Sequence, residues 1–352
     1  MQNYKCKTCG AELFWNATTE SLKCEYCDSV FSVLDYEDHT LKEHHQTEEI
    51  DLKYTNAGED LDNNMMVLNC TNCDAEIVTS KTTMATECVY CGHALSVSHN
   101  VSGKFRPEKI IPFKIDKKTA KEKYFKYAKS SILIPKEFKD ITKIDKMQGI
   151  YVPYYLHSLN ISVESALDCK TEECKKNGDD MIVITKSYDV NIDANGEFND
   201  IPVNASKQMD TVTMEAIEPF DFNNIEDFNP AYMAGYFAEQ PDKTTDYTSS
   251  IARQRAEAAM KEKIKETADT IDKYESKTFK EVKSEYKNEE RKYAMMPVWL
   301  CNIMYKNKKY TFLINGDSGK IIGELPFSKL KFAGILGSAF IIMQILLTFI
   351  LN

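Results

Sequence analysis

Residues 6–27 read CKTCGAELFWNATTESLKCEYC and residues 70–91 read CTNCDAEIVTSKTTMATECVYC. Each stretch opens and closes with C-x-x-C and has fourteen residues between the pairs, so the second repeats the first at an offset of 64 positions. Ala11-Glu12-Leu13 matches Ala75-Glu76-Ile77, and Tyr26 and Tyr90 each precede the last cysteine of their unit. This is metal-ligand spacing rather than a disulfide framework. It assigns Cys6, Cys9, Cys24 and Cys27 to one zinc and Cys70, Cys73, Cys88 and Cys91 to another.

In a zinc knuckle the backbone turns tightly around the thiolates. Gly10 and Gly92 follow two of the pairs, where positive φ is easiest, while Asp28 and Asp74 follow the other two. A unit of about 28 residues cannot bury enough apolar surface to fold alone, whereas zinc supplies on the order of 10 kcal/mol in such peptides. Four protein thiolates also complete a tetrahedral shell and leave no open position for water. The two ions are therefore expected to be structural. Cys169, Cys174 and Cys301 lie outside the repeat and read as incidental.

Outward from the ribbons, the chain of 352 residues has room for further domains, and 43% hydrophobic with 28% charged residues excludes global disorder. The net charge of -10 is uneven. Residues 1–100 hold 6 basic and 17 acidic side chains, or -11. Four-thiolate zinc adds formal negative charge, so phosphate binding by this front part is disfavoured. The acidic stretch 35–65 reads as a linker, with His39, His44 and His45 solvated. No apolar cleavable leader opens the chain, which places the amino terminus in a reducing compartment.

Residues 104–328 read as an α+β body with an antiparallel sheet. From Lys104 to Lys146 there are fourteen basic and six acidic residues. This charge has three competing readings: a solvated face, a contact with anionic headgroups, or a contact with an acidic surface such as the ribbons. A helix is expected over Lys117–Ser131 with Asp116 as its cap, and another over Ile251–Ile271, where Ala252, Ala256, Met260, Ile264 and Ala268 recur every four residues. Strands are expected over Gly149–Val163, Met181–Ile192 and Ile201–Val203, with a charged hairpin tip after the first and a turn at Asn195-Gly196. A hairpin over Met296–Met304 and Lys309–Ile314, a turn at residues 315–319 and a strand over Lys320–Leu325 complete the body. It has no phosphate-binding, dinucleotide, nucleophile-elbow or zinc-protease motif, and His157 forms no recognisable dyad; no catalytic residue is assigned.

Phe332–Leu351 is a run of 20 residues without formal charge, twelve of them Leu, Ile or Phe. Its length matches one bilayer span, and Lys329 and Lys331 before it place the amino-terminal part in the cytoplasm. A single-pass, tail-anchored cell-membrane protein is the expectation. Gly334, Ser338 and Gln344 could pair this helix with another, or face lipid only.

This order of parts resembles a family of bacterial membrane proteins with tandem zinc ribbons of the transcription factor IIB type, encoded beside phage-shock-protein-A-like and SPFH-domain proteins. The resemblance rests on the paired ribbons and on KIIPF (109–113), GIYVPY (149–154), IPVNAS (201–206), MPVW (296–299) and NGDSGKIIGEL (315–325). It implies a membrane-anchored adaptor in envelope-stress or membrane-maintenance complexes whose partners are those two protein classes and the lipid bilayer. The charged stretch DCKTEECKKNGDD (168–180) departs from the family pattern. Two other functions compete: nucleic-acid binding by the ribbons, which the -11 front disfavours, and an enzyme acting through a cleft in the body.

Overall fold

The computed structural model describes residues 6–11, 13–36, 65–70, 75–80, 88–90, 96–100, 107–140, 144, 147–177, 180–209 and 211–351. Cys73, Cys91, the three linker histidines, Gly92 and Asp74 lie outside these residues. The described residues of the expected linker 35–65 are Asp35 and Tyr36, which close the 3-10 turn Val33–Tyr36, and Met65, which opens a strand.

In chain order, β1 is Leu13–Asn16, β2 Ser21–Cys24 and β3 Val30–Phe31. They form one small antiparallel sheet, with Leu13 opposite Cys24 and Leu22 opposite Phe31. β4 (Met65–Asn69), β5 (Glu76–Ser80) and β6 (Ser96–Asn100) belong to the second ribbon region, with β4 between the other two. The body contributes β7 (Lys109–Ile110), α1 (Lys117–Ala128), β8 (Gln148–Asn177), β9 (Asp180–Asn204), α2 (Thr211–Ile217), β10 (Glu226–Asp227) and β11 (Phe237–Glu239). After these come α3 (Thr245–Ile271), β12 (Ser276–Tyr305), β13 (Lys308–Asn315), β14 (Ile321–Ile322) and α4 (Lys329–Leu351).

Two compact units result, and their boundary falls within β8 and within β12. The first comprises Met1–Pro153, Ser206–Gln240 and Met295–Asn352. Here β12 pairs with β13 from Val298↔Asn315 to Tyr305↔Lys308, and β11 lies parallel to β8 with Phe237 opposite Ile150. Asp116 caps α1 by accepting the Thr119 N–H at 2.7 Å, and the helix stops at Ala128, three residues before the expected end.

The second unit comprises Tyr154–Ala205 and Pro241–Ala294. Its β8–β9 ladder runs from Tyr154↔Asn204 to Asn177↔Asp180, with an irregularity between His157 and Leu159. Asn195-Gly196, expected to be a turn, lies mid-strand opposite Ser162 and Ile161. The glycine serves close packing instead, since a Cβ on Gly196 would come within 2.7 Å of the Met260 sulfur. α3 begins six residues before the expected Ile251, capped by Thr244. Its stripe of Ala252, Ala256, Met260, Ile264 and Ala268 is buried against Leu159, Ile161, Val163, Leu167 and Cys169 of β8. Small side chains at four-residue spacing let the helix backbone approach the sheet, which is why this stripe carries so little bulk.

The carboxy-terminal expectation requires correction. Among the described residues no helix is long and apolar enough to cross a membrane, so the transmembrane segment over 332–351 and the single-pass cell-membrane placement are not supported. The helix base is tied to protein: Lys331 Nζ donates to the carbonyls of Ile132 at 3.2 Å and Ile134 at 2.6 Å.

Candidate metal centre

The first cysteine pair folds into a knuckle closed by two backbone bonds, Cys6 N–H to Ala11 O at 2.7 Å and Gly10 N–H to Cys6 O at 2.8 Å. The second repeats it, with Cys24 N–H to Ser29 O at 2.9 Å and Asp28 N–H to Cys24 O at 3.0 Å. Both need a left-handed residue at the same place. Gly10 supplies it with φ +77° and Asp28 with φ +57°. Aspartate tolerates that region better than most residues, and its carboxylate is paired with Lys23 at 2.8 Å, which holds it below the usual carboxylate range.

These knuckles bring the four sulfurs within 4.8 Å of one another, with Cys6–Cys27 at 3.4 Å and Cys9–Cys24 at 3.5 Å. A zinc–sulfur bond of about 2.3 Å requires tetrahedral sulfur–sulfur edges of about 3.8 Å, so the quartet fits one ion with small adjustments. Cys6 and Cys24 are buried, Cys27 half-buried and Cys9 exposed, so the site lies just under one surface.

The thiols titrate as a set. Burial raises Cys6, but the N–H groups of Cys9 and Thr8 and the Cys27 thiol outweigh it and bring it down to about 6. At Cys9 the Ala11 N–H lowers the thiol, yet burial and the three neighbouring sulfurs push it up to about 12. Ser29 lowers Cys27. Adjacent thiolates resist joint ionisation without a cation, and a divalent ion removes that conflict. The arrangement can therefore hold one metal ion.

The second quartet is described only in part. Cys70 and Cys88 are buried, and Cys70 N–H donates to Ala75 O at 3.0 Å, the counterpart of Cys6 to Ala11 at the same 64-residue offset. Asn302 Nδ2 on β12 donates to Val89 O at 2.9 Å and Tyr90 O at 2.8 Å, gripping the turn that follows Cys88.

The first ribbon is seated on the body by an aromatic cluster that the sequence reading did not assemble. Trp15 on β1 donates its indole N–H to Phe113 O at 3.0 Å and packs edge-on against Tyr232. Phe113 stacks on Tyr236 at 4.1 Å and also meets Tyr151 and Trp299, whose indole N–H donates to Ile115 O at 2.8 Å. Gly149 and Gly316 make room: a Cβ at either would meet Tyr236 or Phe113 at under 3 Å. Lys114 reaches Glu20 of the first ribbon at 2.5 Å, so part of the basic 104–146 stretch engages the acidic ribbon surface. Beside the cluster is a crevice of about 320 Å³ lined by Phe14, Trp15, Tyr236 and Trp299, with Glu25 and Lys117 at its polar side. The available signal was that both tryptophans, Trp15 and Trp299, stand in the short segments on which the resemblance rests.

The remaining cysteines are apart from this centre. Cys169 is buried under α3 and Cys301 in β12, where burial pushes its thiol up to about 12; both behave as small apolar groups. Cys174 is exposed on the β8–β9 hairpin.

Comparison with known proteins adds one relative. The chain is 29% identical over 256 residues to YdjG, an uncharacterised protein of Bacillus subtilis (strain 168), covering 72% of this chain and 74% of the relative. No protein-family model matches, and no solved structure matches.

Proposed function

We propose that this protein is a zinc-ribbon adaptor: two ribbons, each built around one structural zinc, present fixed surfaces to soluble protein partners. The observation that carries this reading is the outer surface of the first ribbon. Around the thiolate quartet, Tyr26 is 84% exposed, Leu34 68% and Val30 54%. Apolar side chains held out to solvent on a metal-stiffened frame are what a docking surface requires, because little conformational freedom remains to be lost on binding. The second zinc is part of the proposal and rests on the matching Cys70 and Cys6 knuckles.

The partner classes come from the resemblance: phage-shock-protein-A-like and SPFH-domain proteins. Both ribbons are fastened to one body, through Trp15 and through Asn302, so an oligomeric partner with repeated sites would be held by avidity. The test is capture of purified candidate partners by the full chain, by Tyr26→Ala/Leu34→Ala and by Cys24→Ser/Cys27→Ser. Loss of capture in both variants is expected; undiminished capture by both removes the role given to the ribbon.

A further inference from the structure

Among the described residues, the second unit ends in an arm that no further strand covers. The apolar face under α3 stops at Cys169 of β8 and Val190 of β9. β12 begins at Ser276, and Glu275 N–H donates to Lys170 O at 2.8 Å, so beyond Lys170 the described sheet narrows to two strands. Those strands pair Thr171 with Lys186, Cys174 with Val183 and Lys176 with Met181. A two-stranded hairpin is marginal in water on its own, and three or more strands with an apolar face are needed for stability.

The two edges of the arm differ. The β8 edge carries Glu172, Glu173, Lys175 and Lys176, the charges with which proteins blunt an open strand. The β9 edge reads Met181-Ile182-Val183-Ile184-Thr185, with no charge, proline or glycine, and Met181, Ile182 and Val183 are 67%, 42% and 54% exposed. Among the described residues β9 pairs with β8 alone. An unblunted apolar edge is a template for another strand.

We propose that this edge pairs antiparallel with the same edge of a second copy of the chain, about a twofold axis through Val183. The segment is self-complementary in that register. Ile182 falls opposite Ile184, Met181 opposite Thr185, and Lys186 of each chain comes to the register position of Asp180 of the other. The product is a four-stranded sheet in the order β8–β9–β9–β8, with the charged β8 strands outermost. Isologous twofold contacts of this kind are the commonest way for a chain to associate with itself. The inference uses no ribbon residue and stands apart from the adaptor reading.

The test is disulfide crosslinking of the full chain, purified in a mild detergent that masks the apolar surface of α4. Val183→Cys is placed in a Cys174→Ser background, because residue 174 is the cross-strand neighbour of residue 183. On a twofold axis residue 183 faces itself, so mild oxidation should yield a covalent dimer. Cys174→Ser alone and Glu172→Cys in the same background should stay monomeric. Lys186→Asp should reduce crosslinking severalfold by setting two like-charged pairs across the axis, and adding Asp180→Lys should restore it. Unchanged melting temperatures show that these surface variants fold. A Val183→Cys chain that crosslinks no more than its background, equal crosslinking through Glu172→Cys, or no rescue by the charge swap would each overturn the proposal.

Discussion

At the scale of single residues, Trp15 links the sheet beside the cysteine quartet to the body. Its ring is buried and its N–H is bonded to Phe113 O, so Trp15→Phe should cost about 1 kcal/mol through the lost hydrogen bond. Trp15→Ala should cost about 3 kcal/mol or more by leaving a cavity as well, which denaturant unfolding of the full chain would read. His157 is the second informative residue. It is 4% exposed, its Nε2 has no hydrogen-bond partner among the described residues, and burial, reinforced by Arg291, lowers it to about 4. The unfolded imidazole takes up a proton near pH 6.5, whereas the folded one resists protonation until about pH 4. Stability is therefore complete above about pH 6.5 and falls by about 3 kcal/mol as the pH drops to 4. His157→Leu should flatten that slope in unfolding curves taken between pH 4 and 7.

At the scale of elements, α3 was legible because its five buried positions recur every four residues, and the first cysteine quartet because cysteine spacing reports ligand geometry directly. A substitution that thickens the stripe tests the first: Ala256→Leu should destabilise the chain by about 1–3 kcal/mol, seen as a lower thermal midpoint, because Ala256 is fully buried against β8. Other elements could not be read locally. Asn195-Gly196 has the composition of a turn, yet tertiary packing against Met260 decides its place in β9. The residues before Met296 in β12 gave no strand signal, since Lys277 to Lys292 is dense in Lys and Glu on an exposed strand. The carboxy-terminal helix was expected from composition, but composition does not fix what a helix crosses, and the transmembrane reading fell.

At the scale of the whole molecule, the five segments that carry the resemblance are far apart in sequence, yet Phe113, Tyr151 and Trp299 from three of them meet in the cluster that receives Trp15. Sequence showed the pieces but not their meeting, because aromatic packing has no spacing rule. Residues 1–103 carry a net charge of -11, so alone they should bind single-stranded DNA no better at low salt than at high salt; salt-sensitive binding would instead favour the nucleic-acid alternative. The central claim is that Cys6, Cys9, Cys24 and Cys27 hold a zinc that keeps the first ribbon folded on this cluster. Its most direct test is zinc per chain, counted by mass spectrometry in the full-length protein and in Cys24→Ser/Cys27→Ser, with tryptophan emission read from the same samples. The account predicts that the variant lacks one zinc equivalent and that its emission shifts to the red as Trp15 becomes hydrated. Equal zinc in the two proteins, or a metal-free wild-type chain with unshifted emission, would contradict it.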